Sequence, residues 1–243
     1  MRRYGILVVA FCCAGLCVRL GFWQLDRLSQ RRAYNTLLET RWQLPPVDLK
    51  TESSIDTLDY RRTVARGVFD FDHQLVVMAR SYHGVPGVHV VTPLRLDNGM
   101  AILVERGWVP SPDANTVDLT EFPEADSTVV AGILRGPQQG GPAIANTGWP
   151  IHVRNVDPAA LQDRYSYPLH PLLLRRTSQV GESASELRLI LQPELNNGPH
   201  LSYAMQWFTF ATIALVGGVI LFLREPGAAN REPEDEDREQ RLH

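Results

Sequence analysis

Two stretches of the chain carry no charge, and the region between them alternates. Residues 4–18 form the first, and the apolar run resumes past Arg19 with Leu20, Gly21, Phe22 and Trp23. With Arg19 reaching to the interface, about 20 residues are available, enough for a helical span. The second stretch, 201–223, is apolar apart from Ser, Thr, Gln and Tyr, and Arg224 stops it. It can cross a hydrocarbon core of ~30 Å with some tilt. The pattern therefore predicts transmembrane helices over 4–23 and 200–223. After the first, Leu25, Leu28, Ala33, Tyr34, Leu37 and Leu38 recur near helical spacing among Arg27, Arg31, Arg32 and Glu39. The helix is expected to continue as a juxtamembrane amphipathic segment over 24–44, until Pro45-Pro46 ends it.

Beyond those prolines the period shortens. Residues 63–71, 74–80, 88–96, 100–109, 128–134, 172–176 and 187–192 read as strands. Asp97-Asn98-Gly99 has the composition of a tight hairpin turn. Asp157 caps a short helix with Pro158 in its first position. Residues 45–199 are thus expected to fold as a mostly-β, α+β domain, an antiparallel sheet curled into a small barrel or sandwich. The Gly- and Pro-rich stretch 136–150 reads as a loop. Residues 224–243 have almost no apolar side chains and are expected to be a disordered acidic tail.

The basic start Met1-Arg2-Arg3 and the short apolar run also fit a secretory signal. No small-x-small cleavage site follows, and Phe11, Cys12 and Leu16 before the cysteines do not make a lipoprotein signal. The reading is an uncleaved anchor. Two spans place both termini on one side. Flanking arginines do not decide the orientation, but short termini and a long central domain favour cytoplasmic termini and an extracytoplasmic domain. Without an Arg- and Ser-rich presequence, the expected location is a bacterial plasma membrane.

Charge and composition narrow the chemistry. The tail holds 4 Arg and 7 acidic residues, so the net charge of −3 belongs to it and the rest is balanced. That gives no footprint for nucleic acid. The cysteines, Cys12, Cys13 and Cys17, all lie in the first apolar run, leaving the central region no disulfide and no thiolate metal site. Cys13 and Cys17 share a helix face, as small hydrophobes or as a metal pair. The single lysine, Lys50, leaves little room for Schiff-base chemistry. Gly-rich phosphate loops, G-x-S-x-G and H-E-x-x-H are absent, so the expectation is a protein that is not an enzyme. His73, His152 and His170 read as surface or loop residues. His83 and His89 bracket Gly84-Val85-Pro86-Gly87, either as turn residues or as a pair converging on a metal.

His200 stands at the entry to the second span. On a helix it shares a face with Tyr203, Ala204, Trp207 and Ala211. Two readings stay open: an imidazole at the interface within an aromatic belt, or an axial haem ligand with Trp207 against the macrocycle and the ring between two membrane helices. Arg19 and Arg27, at the end of the first span, are candidates to pair with propionates.

Four blocks carry a family resemblance. They are Gly21-Phe22-Trp23-Gln24-Leu25-Asp26-Arg27, then Tyr60-Arg61-Arg62-Thr63-Val64-Ala65-Arg66-Gly67-Val68-Phe69. The third joins Gly87-Val88-His89-Val90-Val91-Thr92-Pro93-Leu94 to Ile102-Leu103-Val104-Glu105-Arg106-Gly107-Trp108-Val109-Pro110. The last is Asn196-Asn197-Gly198-Pro199-His200-Leu201-Ser202-Tyr203-Ala204-Met205-Gln206-Trp207-Phe208. In this order between two spans, they resemble the surfeit-locus family of cytochrome c oxidase assembly proteins. Gly198-Pro199 is an insertion relative to the family pattern.

The resemblance implies a two-span membrane protein that helps build the oxidase. Implied partners are the catalytic subunit of cytochrome c oxidase, haem a synthase and membrane lipid. It implies haem a as cofactor, His200 as ligand to the haem iron, and Trp207, Tyr203, Arg27 and Trp23 as binding residues around it. The alternative is a membrane scaffold that stabilises an assembly intermediate without binding cofactor. Arg106-Gly107-Trp108 is read as serving the fold.

Overall fold

The computed structural model describes residues 2–49, 55–138, 143–177, 187–190 and 194–224. In chain order the elements are helix α1 (Arg2–Gln43), α2 (Ile55–Leu58), strands β1 (Arg62–Phe69), β2 (Leu75–Tyr82), β3 (Val85–Leu96), β4 (Ala101–Pro110), β5 (Ser127–Arg135) and β6 (Ile151–Val153), helix α3 (Pro158–Leu161), strand β7 (Leu169–Arg176) and helix α4 (His200–Arg224). They fall into two compact units. One holds the residues up to Thr36 together with those from Leu195, and the other holds Leu37–Glu194.

In the first unit α1 and α4 pack along a seam of small side chains. Ala14, Gly21 and Leu28 on α1 recur every seven residues, and so do Ala204, Ala211 and Gly218 on α4; all six are buried. A seven-residue repeat keeps one face of each helix on its partner through a left-handed coil. Small residues let the backbones close up. A Cβ on Gly218 would stand 2.3 Å from that of Ala10, and one on Gly21 2.6 Å from the Phe208 ring. Both helices are long and apolar enough to cross a bilayer, yet only 17% and 11% of their most apolar windows are buried within the protein. A core helix of a water-soluble protein would be mostly buried. Here Phe11, Ile213 and Leu223 face outward, which suits lipid.

α1 ends at Gln43, just before Pro45-Pro46. A residue preceding proline is pushed out of helical geometry, which stops the helix there.

The second unit is built on one seven-stranded sheet in the order β1-β5-β7-β4-β3-β2-β6. β1 also pairs with β3, through Gly67, Val68 and Phe69 opposite Leu96, Arg95 and Leu94. The pairings of β1, β5, β7, β4 and β3 therefore return to their starting strand, and β2 and β6 continue outward from β3. The sheet is mixed, not antiparallel as expected: β2–β6 and β4–β7 run parallel. Alternation of side chains reports which face a strand buries, and says nothing about the direction of its neighbour. β6 was not foreseen, because three residues are too few to show a period. In place of a strand over 187–192, Arg188 makes an isolated bridge, its N–H and C=O bonded to Trp108 at 2.9 and 2.7 Å; residues 191 and 192 lie outside those described, as does most of the expected tail.

Local signals are realised where chemistry is local. Gly99 takes φ +84° in the β3–β4 turn, which Leu96 N–H closes onto Met100 O at 2.8 Å. His83 and Gly84 join β2 to β3 with φ of +49° and +81°, the two-residue turn whose twist suits a hairpin. The Asp157 side chain accepts from Ala159 N–H at 3.1 Å and caps α3. One core is shared by the five cyclically paired strands, among them Ala65, Phe69, Leu94, Ile102, Leu134 and Leu172. A second, with Leu75, Val91, Leu103, Ile151 and Leu161, holds β2, β6 and α3 to the sheet.

Glu105 on β4 is buried in this sheet, its Oε2 2.7 Å from Arg175 Nε on β7. Burial drives the carboxyl up, but His89 and Arg175 outweigh it, and the group titrates at about 2 instead of 4.5. The folded protein thus binds this proton less tightly than the unfolded chain. Its stabilisation is present above pH 4.5 and is lost as pH falls toward 2. The melting temperature followed by circular dichroism is expected to fall through that window; a flat profile there contradicts the assignment.

Candidate functional site

The fourth motif block begins where α1 holds the chain entering α4. Arg31 Nε and Asn35 Nδ2 each donate to Asn196 O at 3.0 Å, and Asn35 Nδ2 also lies 3.4 Å from Asn197 Oδ1. Gly198 then takes φ +63°, a left-handed conformation that glycine adopts without a Cβ clash. Pro199 O accepts from Tyr203 N–H at 3.1 Å and from Ser202 Oγ at 2.7 Å. The inserted Gly198-Pro199 thereby sets the first turn of α4, and His200 opens the helix.

His200 is half-buried, and its Nδ1 lies 2.9 Å from Gln24 Oε1 on α1. An amide oxygen accepts, so the imidazole donates from Nδ1–H and its lone pair is left on Nε2. That is the tautomer a metal-ligating histidine uses, with an outer partner fixing the ring's orientation. Gln24 is not among the residues that the sequence pattern singles out. The signal was present, since Gln24 lies inside the first block, but its partner is 176 positions away.

The remaining candidates are arranged differently. Arg27 is exposed, with its guanidinium 5.6 Å over the Trp23 ring and Nη1 donating to Gln30 Oε1 at 2.9 Å. Trp23 and Tyr203 are 49% and 47% exposed. Trp207 is half-buried, its ring edge-on to Phe210 at 6.0 Å; at 1.5 Å rise per residue it lies about 10 Å along α4 from His200. Among the described residues, the His200 side chain hydrogen-bonds to Gln24 and to none of these other candidates. The seam between α1 and α4 is filled at this level, by Gly21 against Phe208 and by Phe22 and Phe208 edge-to-face at 5.5 Å. Between Gly21 and Phe208 the two helices leave no gap for a flat ring.

His83 and His89 do line one cleft. Each is already engaged, His83 edge-on to Tyr82 at 4.6 Å and His89 with Nδ1 3.8 Å from Glu105 Oε1. Among the described residues no group of three His, Cys, Asp or Glu side chains is placed to hold a metal ion. Cys13 is exposed and Cys17 half-exposed, both as free thiols.

Two apolar helices, each long enough to cross a bilayer and joined by a histidine–glutamine contact, bracket a strand-rich domain in the chain. The SURF1 family model matches residues 11–212, and the chain belongs to that family. An uncharacterized SURF1-like protein of Mycobacterium tuberculosis is 28% identical over 244 residues, covering 93% of this chain and 85% of that protein. A SURF1-like protein of Monosiga brevicollis is 34% identical, over 86% of this chain and 83% of its own. The cytochrome oxidase assembly protein SHY1 of Saccharomyces cerevisiae is 26% identical over 151 residues, 58% of this chain and 39% of SHY1.

Proposed function

We propose that this protein assists the assembly of cytochrome c oxidase by holding haem a through His200. The observation that carries the reading is the 2.9 Å contact from His200 Nδ1 to Gln24 Oε1, which leaves Nε2 as the nitrogen with a free lone pair. The residues fit an axial ligand: a neutral imidazole with its second nitrogen tied to an outer partner. Bound haem a would be cargo here, the redox cofactor of the finished oxidase. Gln24 holds the imidazole against rotation and fixes its tautomer. Arg27 supplies an exposed cation for a propionate, and Trp23, Tyr203 and Trp207 supply aromatic surface along the helix pair. No activated nucleophile is assigned and no catalytic role is proposed. The likeness to SHY1 supports the oxidase as the target, with its catalytic subunit as partner and haem a synthase as donor. The reading places the strand-rich domain outside a bacterial plasma membrane, with both termini in the cytoplasm.

The test is the absorbance spectrum of detergent-purified protein from a host that makes haem a. Wild type is expected to show Soret and α bands, and His200→Ala to lose or shift them. Gln24→Leu, which keeps the ligand but frees its ring, is expected to weaken haem binding about 10- to 100-fold. No haem in wild type, with haem a present in the host, overturns the carrier reading and leaves a scaffold for an assembly intermediate. Unchanged spectra in His200→Ala overturn the ligand assignment.

A further inference from the structure

The strand-rich unit contains a polar cleft of about 620 Å³ that the haem reading does not use. Its walls include Arg80, Tyr82, His83, His89, Arg135 and Arg175, and no carboxylate is among the described lining residues. Arg188 adds a further guanidinium, stacked 5.8 Å from the Tyr82 ring and 5.7 Å from the Trp108 ring. Tyr82 and Trp108 stack on one another at 5.2 Å.

The charges do not cancel. Arg175 is matched by buried Glu105 at 2.7 Å. Arg135 has Asp59 at 3.7 Å, the Tyr60 hydroxyl at 3.0 Å and the Tyr60 ring at 4.1 Å. Arg80 is tied only to neutral acceptors, its Nη2 donating to Arg154 O at 2.6 Å and Gln138 Oε1 at 3.0 Å. Arg188 makes no ion pair among the described residues. Among the described residues, four guanidinium groups thus face two carboxylates, an excess of two positive charges before either histidine is counted. Arg80 feels it: burial pulls its pKa down, Glu105 acts against that, and the like charge of Arg175 adds to the fall.

One buried polar atom of a lining residue is also unpartnered among the described residues. Trp108 is 1% exposed and its Nε1–H has no acceptor, while His89 Nδ1 faces buried Glu105 Oε1 at 3.8 Å, beyond hydrogen-bond distance. Buried polar groups are normally paired, and each exception calls for an explanation.

We infer that this cleft is a binding site for a phosphate monoester, held by Arg80 and Arg188, which have no carboxylate partner among the described residues. A phosphate monoester carries a charge of about −1.5 to −2 at neutral pH, which matches the excess. A single carboxylate or a phosphodiester supplies only half of it. A guanidinium stacked on an aromatic face keeps its N–H edge for bidentate contact with phosphate oxygens, which is the situation of Arg188. His83, exposed in the β2–β3 turn, supplies a further donor. The monoester can be a soluble metabolite or the headgroup of phosphatidic acid; the recognised group is the same.

The experiment uses the full chain in detergent, titrated calorimetrically with inorganic phosphate at constant ionic strength. Saturable binding is expected, weakened at least about tenfold by Arg188→Gln and by Arg80→Gln, since each removes a charge-assisted contact. Arg188 is exposed and makes no ion pair among the described residues, so its variant is expected to keep the wild-type melting temperature without phosphate. That separates lost binding from lost folding. Glycerol 3-phosphate competing with inorganic phosphate identifies a soluble ligand. Competition only by phosphatidic acid vesicles, and not by phosphatidylglycerol vesicles, identifies the lipid. No saturable binding up to millimolar phosphate, or equal affinity in wild type and Arg188→Gln, overturns the proposal.

Discussion

Glu124→Gln is expected to destabilise the strand-rich unit by about 3–5 kcal/mol, the cost of leaving buried charges without their counter-ion. Glu124 is 3% exposed at its side chain. Its Oε1 takes Arg106 Nε at 3.0 Å, Arg106 Nη2 at 2.9 Å and Arg176 Nη1 at 2.8 Å. Arg106 and Arg176 are themselves 1% and 4% exposed. Two guanidinium groups therefore share one carboxylate away from water. The amide that replaces it keeps the shape and loses the charge. Arg106 would still donate to Phe122 O at 2.6 Å and Gln74 Oε1 at 3.2 Å, and would still lie over the Phe71 and Phe69 rings at 5.2 and 5.7 Å. Those contacts hold its position without neutralising it. Against a typical domain stability of about 5–15 kcal/mol, the loss is a large share. Denaturant unfolding of the purified protein measures it, and a change under about 1 kcal/mol would show that water reaches the trio. The same geometry shows what Arg106 does in its motif block: it ties β4 to the segment carrying Phe122 and Glu124.

Gly67→Ala is expected to cost about 2–3 kcal/mol, by crowding the place where β1 meets β3. Gly67 pairs with Thr128 of β5 on one side and with Leu96 of β3 on the other. A Cβ there would lie 2.2 Å from Arg95 O and 3.1 Å from Leu94 Cγ. The near atom is backbone, flanked by a ladder, and cannot swing aside as a side-chain tip would. β1 must separate from β3, which opens the cyclic pairing at its shortest contact. The Asp70 N–H, bonded to Pro93 O at 2.9 Å next to this join, is expected to exchange with deuterium faster in the variant. Exchange as slow as wild type, with unchanged stability, would show that the strands absorb the methyl group. Gly87 answers to the same kind of constraint, since a Cβ on it would stand 2.2 Å from Val109 O and 2.5 Å from the Trp108 indole. Both glycines sit in the motif blocks for close approach, not for turns.

What the sequence by itself determined follows from interactions whose partners are near in the chain. A span needs a long apolar run because hydrocarbon offers its backbone no partner, so the apolar part of α1 and most of α4 are legible as charge-free stretches. Asp157 reaches an N–H two residues on, and Gly99 bends its own turn, so cap and hairpin are legible too. The motif blocks carried the family. Tertiary structure alone decided the rest. Which strands run parallel, and that β1 pairs with both β5 and β3, depends on crossovers that leave no mark in residue alternation. Gln24 reaches His200 from the other helix. The surplus charge in the cleft exists only where Arg80, Arg135 and Arg175 from three strands converge with Arg188. In the sequence each is one arginine among balanced charges. Their chemistry is set by distance to a carboxylate, and distance is what folding supplies.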